Sequence, residues 1–560
     1  MDNKNVFIAI ALSMSVLLFW GAFFETPKQV KNENSAKQLE KNQSNTITPT
    51  INETQIIKKI SRNDSINSSK RIKIENNNIV GSLNLQGGLI DDISFKNHKQ
   101  NIENNKNIEF FNPAQNENGF YVETGWTSIG SKIKVPSKNS IWSVNGNNIL
   151  GENKPVILKW NNGEGIIFKK QIELDEKFLF KITQQVQNNS SNQIELYPYA
   201  QITRNKVPDD IQNFYISHEG FIGVFDEELK EDDYDDIEEK KIVREANEGW
   251  FGITDKYWMT ALVPKNGESF KSTFLYQDAF KANYILNKPT LINPSSSNTN
   301  EVRLFVAAKE VETIDTYAAN QNIKKLDLVI DWGWFYFFTK PLFFIIDYLF
   351  KFSGNFGIAI VLITIGIRLL FFPLANYSFR SMAKMKAVQP EMVRLKELHK
   401  EDKIKLQQEM MALYRKEKIN PASGCLPVLI QIPFFFAIYK MLFISLEMRH
   451  QPFFGWIKDL SAQDPTSLFN IFGLIPWDPP SFLIIGIWPI LMGASMWVQQ
   501  KLNPAPADPI QAKIFAFFPF FLTIILASFP SGLVVYWTIN NILTIAQQWV
   551  IMKKTTVKTN

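Results

Sequence analysis

Two kinds of hydrophobic pattern divide the chain near residue 330. Before it, apolar residues come in short stretches that alternate with polar ones. After it, they gather into long runs. Segments 165–174, 178–186, 193–203 and 300–309 are rich in Ile, Val, Phe and Tyr. They end at Asn-Gly, Asn-Asn or Pro-Ser breaks. A period of two between turn residues predicts strands, and many such strands predict a β-sandwich over 61–330. The acidic run 226–239 reads as a solvated loop; as a calcium site it lacks EF-hand spacing. Residues 25–60 are mostly Lys, Asn, Gln, Ser and Thr and read as a flexible tether.

The first long run, 6–24, holds nineteen residues without a charge. At about 1.5 Å per residue that crosses a bilayer core of roughly 30 Å. A cleaved signal peptide is the rival reading. Its apolar core is usually shorter and precedes a small-residue cleavage site, whereas this run ends Trp20-Gly-Ala-Phe-Phe-Glu-Thr. The reading adopted is an uncleaved anchor over 1–24. Five further spans are predicted at 355–375, 424–446, 481–498, 515–529 and 532–552, with Pro519 and Pro530 tolerated as they are in membrane helices. Segment 334–352 is apolar too, but Lys340, Pro341, Asp347 and Lys351 make it a helix lying in the interface.

The expected architecture is a multi-domain membrane protein. It has an α-helical bundle of six transmembrane helices, five of them in a core over 331–552, and an all-β domain outside. Between residues 376 and 424 there are eleven Lys/Arg against six Asp/Glu. Lys501 and Lys513 fall in the 499–513 loop, and Lys553, Lys554 and Lys558 in the tail 553–560. Positive residues mark the cytoplasmic side, so both termini are expected there, with the polar region 25–333 outside.

Composition adds mainly exclusions. The 560 residues carry 60 Lys+Arg and 55 Asp+Glu, a net +5 that is too mild for a nucleic-acid coat. A single cysteine, Cys425, excludes an internal disulfide and a Cys-based zinc cluster. His98, His218, His399 and His450 are scattered, without an HExxH or Walker A pattern. No catalytic residue, cofactor or metal is predicted, and the chain does not read as an enzyme.

The most informative residue is Arg368, the one charge within Gly357-Ile-Ala-Ile-Val-Leu-Ile-Thr-Ile-Gly-Ile-Arg368. An arginine at that depth needs a compensating environment. With the span centred near residue 365, Arg368 lies slightly to the cytoplasmic side of the middle. The same depth in 424–446 is Gln431, and in 532–552 it is Thr544. Thr544 belongs to a stripe of Tyr536, Asn540, Asn541, Thr544, Gln547 and Gln548 spaced for one helix face. Thr364 lies one turn before Arg368. Three helices thus place polar groups at one level, which is cheapest if they line a shared hydrated groove, with Phe435 on the aromatic face of the third span. Two plainer readings stand beside this one: Arg368 snorkelling to the surface, and the stripe making helix–helix hydrogen bonds.

After Pro373, Met382, Met385, Val388, Met392, Leu395 and Leu398 recur every three or four residues. Asp402 can cap a second helix bearing Leu406, Met410, Leu413 and Tyr414. An antiparallel hairpin over 376–420 follows, with its tip near residues 399–402. Five of the 13 methionines lie in it: Met382, Met385, Met392, Met410 and Met411. Flexible thioethers suit either an adaptable binding surface or the hairpin's own seam.

Several segments carry a resemblance. They are Tyr377-Ser-Phe-Arg-Ser-Met-Ala-Lys-Met-Lys-Ala-Val-Gln-Pro, Gln408-Glu-Met-Met-Ala-Leu-Tyr, Asn420-Pro-Ala-Ser-Gly-Cys-Leu-Pro-Val-Leu-Ile-Gln-Ile-Pro, Trp456-Ile-Lys-Asp-Leu-Ser-Ala-Gln-Asp-Pro and Phe529-Pro-Ser-Gly-Leu-Val-Val-Tyr-Trp. In this order they resemble the YidC/Oxa/Alb membrane protein insertases. Gly249-Trp-Phe-Gly-Ile-Thr-Asp-Lys-Tyr-Trp extends the likeness to the outer region, in the Gram-negative bacterial form.

The resemblance implies an inner-membrane insertase and chaperone for nascent transmembrane segments, acting alone or with the Sec translocon and receiving targeted ribosomes. Arg368 would be the groove arginine, with Thr364, Gln431 and the polar positions of the last span lining the groove. The hairpin would be the cytoplasmic loop needed for insertion. The outer domain would be a mutarotase-like super-β-sandwich without evident catalysis. Lys440 departs from the pattern, where Tyr or an apolar residue is common. A small-solute transporter and a membrane-anchored carbohydrate enzyme are the competing classes. The first should show an inverted repeat, and the second a carboxylate pair or His–Glu site within 70–325.

Overall fold

The computed structural model describes residues 60–556, apart from 130–132, 210, 212–216, 418, 421–425, 478, 481–483 and 504–508. The expected anchor 1–24 and all but the last residue of the tether 25–60 lie outside the described residues, as does the end of the tail.

Nineteen strands, almost all antiparallel, fill the region from Arg71 to Ala308. Alternation drives them. Along Ile166–Leu174 the side chains of Ile166, Phe168, Lys170, Ile172 and Leu174 are buried, while the residues between them are half-exposed. One ladder runs through Ile166–Leu174, Leu179–Asn188, Ser296–Ala308 and Trp258–Pro264. Another runs through Phe120–Thr127, Ile194–Arg204, Phe280–Leu286 and Phe270–Tyr276. Their apolar faces share one core, in which Val122, Ile202 and Ala282 meet Phe168, Ile182 and Leu304. This is the two-layer sandwich that the period predicts.

The acidic run is not a free loop. Glu228–Asp232 is a strand paired with Gly220–Phe225, and Tyr234–Glu239 is a short helix. Tyr234 and Ile237 are buried beneath it. Two apolar anchors spaced three apart fasten a segment whose charges alone suggest solvation.

Twelve helices of the α type are described. The first four are α1 (Arg62–Asn67), α2 (Tyr234–Glu239), α3 (Val311–Asn320) and α4 (Tyr336–Ser353). They are followed by α5 (Phe356–Leu370), α6 (Phe372–Ala387), α7 (Gln389–Leu398) and α8 (Lys403–Lys416). The last four are α9 (Leu426–Ile444), α10 (Ile487–Leu502), α11 (Pro509–Leu526) and α12 (Ser531–Thr556). Helix α4 covers the segment expected to lie in the interface. It buries Leu342, Phe343 and Ile346 and exposes Phe337, Phe344, Tyr348 and Phe352.

The span expected at 355–375 is broken. Asn355 caps α5 by accepting a hydrogen bond from the Ile358 amide at 3.1 Å. The helix then stops at Leu370, and α6 leaves at 68°. Pro373 explains the break: it has no N–H to donate and fits only the first turn of a new helix. No single described helix is long and apolar enough to cross a membrane; α5 and α6 reach that length and composition only as a bent pair. Helix α10 begins at Ile487, later than the 481 expected, and α12 runs on to Thr556.

The hairpin is jointed as well. Val388 separates α6 from α7, with Pro390 in the first turn of α7. At the tip, the Asp402 carboxylate accepts a hydrogen bond from the Lys405 amide at 3.0 Å and starts α8.

Polar contacts bind the sandwich to the helical region. Lys440 of α9 reaches the Asp331 carboxylate at 2.6 Å, and that carboxylate also accepts from the His218 amide of the sandwich region at 3.2 Å. The Arg449 guanidinium donates to the carbonyls of Lys99 and Gln100 at 2.7 and 2.9 Å. The Val311 amide donates to Glu447 at 3.0 Å.

Candidate functional site: a polar cavity around Arg368

Three helices meet where depth matching predicts. Arg368 stands in the last turn of α5, where the carbonyl end of the helix dipole favours a cation. Its partner is Asn540 of α12. The Asn540 side-chain oxygen accepts from Arg368 Nε at 3.0 Å, from Nη2 at 2.6 Å and from Gln431 Nε2 at 3.0 Å. The Asn540 backbone carbonyl accepts from Arg368 Nη2 at 3.3 Å and from the Thr544 hydroxyl at 2.6 Å. One amide therefore organises α5, α9 and α12. It satisfies hydrogen bonds and cancels no charge. Among the described residues no carboxylate pairs with Arg368.

Beside this cluster is a cavity of about 430 Å³. Arg368, Gln431, Phe435, Asn540, Asn541, Thr544 and Met382 line it. Two predicted groove residues do not. Thr364 turns its hydroxyl back to the Ile360 carbonyl at 2.6 Å, and Tyr536 is buried behind the cavity against Phe435 and Gln431. Asn541 also serves packing, donating to the Ser495 hydroxyl of α10 at 3.0 Å.

The sequence reading missed the far wall. Gln499 and Gln500 of α10, Asn503 just after it, Phe515 and Phe518 of α11, and Phe379 and Trp537 also line it. A signal existed: Gln499 and Asn503 are four apart at the end of an apolar run, as on one helix face. On the opposite side a column of rings runs from Phe435 through Tyr439 to Phe443, towards the β-sandwich end of α9, with Phe529 beside Tyr439.

The hairpin methionines divide. Met382 is buried at the cavity, and the Met392 sulfur lies 4.0 Å from the Tyr414 hydroxyl in the seam. Met385 and Met410 are half-buried and Met411 is exposed. Among the described residues no cluster of His, Cys, Asp and Glu could hold a metal ion.

Comparison with known proteins decides the family. Residues 71–345 match the model of the YidC periplasmic domain, and residues 348–558 match that of the 60Kd inner membrane protein. A protein of Pelagibacter ubique named membrane protein insertase YidC is 53% identical over 559 residues, covering all of both chains.

The chain belongs to the YidC membrane protein insertase family. Relatives of the same name in Brucella melitensis and Rickettsia felis are each 42% identical, over 100% and 99% of this chain and 97% and 100% of theirs. A crystal structure of an active YidC insertase aligns over 85% of this chain and 92% of its own, at 17% identity and a TM-score of 0.35. A galactose mutarotase related enzyme from Lactobacillus acidophilus aligns over 43% and 98%, at 12% identity and a TM-score of 0.32. The assignment rests on the family models and the full-length relatives, not on these two alignments. Relatives of this family are named insertases rather than enzymes, and its two models describe a periplasmic and an inner-membrane part. The transporter reading loses its footing accordingly.

Proposed function

We propose that the cavity around Arg368 is a hydrated groove that receives nascent transmembrane segments from the cytoplasm and releases them sideways into the inner membrane. In this reading residues 1–24 anchor the chain, 25–60 tether it, 61–330 form the periplasmic sandwich, and 331–552 form the insertase core. Both termini and the hairpin 376–420 face the cytoplasm. No covalent chemistry is involved. The partners are nascent membrane proteins, the lipid bilayer, the Sec translocon for some clients, and the ribosome with its targeting machinery at the hairpin.

The observation that carries this reading is a mostly buried guanidinium whose close partners among the described residues are neutral. A polar or acidic flank of an incoming helix is drawn to Arg368 while its apolar stretch slides along the aromatic side of α9 and the face of α11. Burial of that stretch yields about 25 cal/mol per Å² of apolar surface and drives the transfer without ATP. The membrane potential assists an acidic flank moving outward by about 2.3 kcal/mol per charge per 100 mV. Arginine stays charged throughout, so it attracts rather than relays protons.

The test compares Arg368→Lys with Arg368→Ala in vesicles, scoring insertion of a substrate with an acidic flank. Lys should retain most of the insertion, and Ala should lose about tenfold, equivalent to about 1.4 kcal/mol. Near-normal insertion by the Ala variant would remove the role given to charge.

A further inference from the structure

The loop joining α9 to α10 carries an apolar surface that the groove does not use. Leu474 is 81% exposed, and Leu468, Phe469, Ile471, Phe472, Ile475 and Trp477 are each between 43% and 51% exposed. From Pro465 to Gly486 the sequence holds one ionisable residue, Asp478. A surface of this kind on a monomer marks an interaction site.

The loop is built, not frayed. Its base is held to α10 by polar groups: the Leu468 amide donates to the Ile485 carbonyl at 3.0 Å, the Ile487 amide to the Thr466 hydroxyl at 3.0 Å, and the Trp488 amide to Asp464 at 2.9 Å. The tip ties its own backbone, with the Phe472 amide donating to the Ser467 carbonyl at 2.8 Å and the Ile475 amide to the Asn470 carbonyl at 3.1 Å. Ile471 and Phe472 both take the left-handed conformation, at φ 49° and 55°. A β-branched residue there is costly, so this shape is held against local preference.

Three features say what covers it. A tip that pairs several of its own amides, and whose one polar side chain, Asn470, donates back to the Trp477 carbonyl at 3.4 Å, suits hydrocarbon, where unpaired amides are penalised. The order from a polar base to an apolar tip with a tryptophan is that of an interfacial anchor. The loop lies within the stretch matching the inner-membrane family model and leads into α10, where Leu491 and Trp497 are also exposed. It also lies at the sandwich end of the helices, where Arg449 grips the carbonyls of Lys99 and Gln100.

We propose that residues 468–477 form a wedge that inserts into the outer leaflet of the phospholipid bilayer and sets the depth of the α9–α10 corner. This rests on the helical region being a membrane core.

The test uses the full chain with Cys425→Ser, reconstituted in phosphatidylethanolamine–phosphatidylglycerol vesicles. A nitroxide is placed at Leu474→Cys or, should that variant fold poorly, at Ile475→Cys. Phe521→Cys on α11 serves as the lipid reference and Lys458→Cys as the water reference; both positions are exposed. Power saturation should find the 474 label open to oxygen and closed to a nickel chelate, as at 521, with an accessibility ratio severalfold above that at 458. A 474 label that matches 458 overturns the wedge alone. A label shielded from both reagents means that a protein surface, such as a second copy, covers the loop, and overturns it too. If 521 is itself open to nickel, the membrane-core reading falls and the wedge falls with it.

Discussion

Interior guanidinium groups are treated in opposite ways in the two halves of the molecule. In the sandwich, Arg71 pairs with Asp91, Arg204 with Asp255 at 2.6 Å, and Arg244 with Asp232 at 2.7 Å. Each cation is spent on a carboxylate of its own domain. In the helical region Arg368 leans on the amide of Asn540, so Nε and Nη2 have acceptors while no described carboxylate offsets its charge. A carboxylate partner offsets a guanidinium's charge, whereas a neutral partner such as Asn540 fills donors and leaves the charge in place. On the proposed function, the contrast separates groups that hold the fold from the group that meets the cargo.

The contrast can be broken from either side. The largest effect should come from Arg204→Met, which strands the Asp255 carboxylate and the Tyr234 hydroxyl in the sandwich. Losing one member of a buried pair costs about 3–5 kcal/mol, to be read by chemical denaturation. A loss below about 1 kcal/mol would mean that this pair is not what holds the site.

Next is Asn540→Asp, which gives Arg368 the carboxylate it lacks. Insertion of an acidic-flanked substrate should fall by about tenfold, or about 1.4 kcal/mol, while thermal stability holds or rises. Unchanged insertion would show that the spare charge is irrelevant.

Asp331→Asn leaves Lys440 without its carboxylate at the seam and should cost about 1–3 kcal/mol, recovered by the exchange Asp331→Lys with Lys440→Asp. Burial opposes the Asp331 charge, but Lys440 and the amides of His218 and Gly333 outweigh it and hold the carboxyl below its ordinary range. Its contribution is therefore present above the unfolded-state value, near pH 4, and lost as pH falls through the lower folded one.

The last test reads a slope and not a single loss, at Glu447, a seam carboxyl pushed up to about 7 chiefly by burial. A raised value reverses the sign. Its stabilisation is complete below the unfolded-state value of about 4.3 and fades as pH rises through 7. Glu447→Gln should flatten the stability profile across that window.

Much of this was legible in the sequence because it is periodic or charged. Strands announced themselves by alternation, and Arg368, Gln431 and Asn540 by polarity at matching depth in apolar runs. What stayed hidden depends on where a side chain turns. Thr364 shares the helix and face of Arg368, yet its short hydroxyl finds its own backbone at Ile360 and leaves the cavity. The end of α5 was hidden because the run continues through Phe371 and Phe372 with no change in hydropathy; only Pro373 marks the stop. The acidic run misled because its charge masked two buried anchors, Tyr234 and Ile237.

The 68° turn at Phe371 carries a mechanical consequence. A straight rod would transmit any tug on the hairpin tip along its axis into the groove. A jointed rod turns that tug into rotation about Phe371, since one residue absorbs the change. Arg368 sits one turn from the pivot and the tip two helices away, so on the proposed function cargo at the tip swings through a wide arc while the cation that would receive it barely shifts.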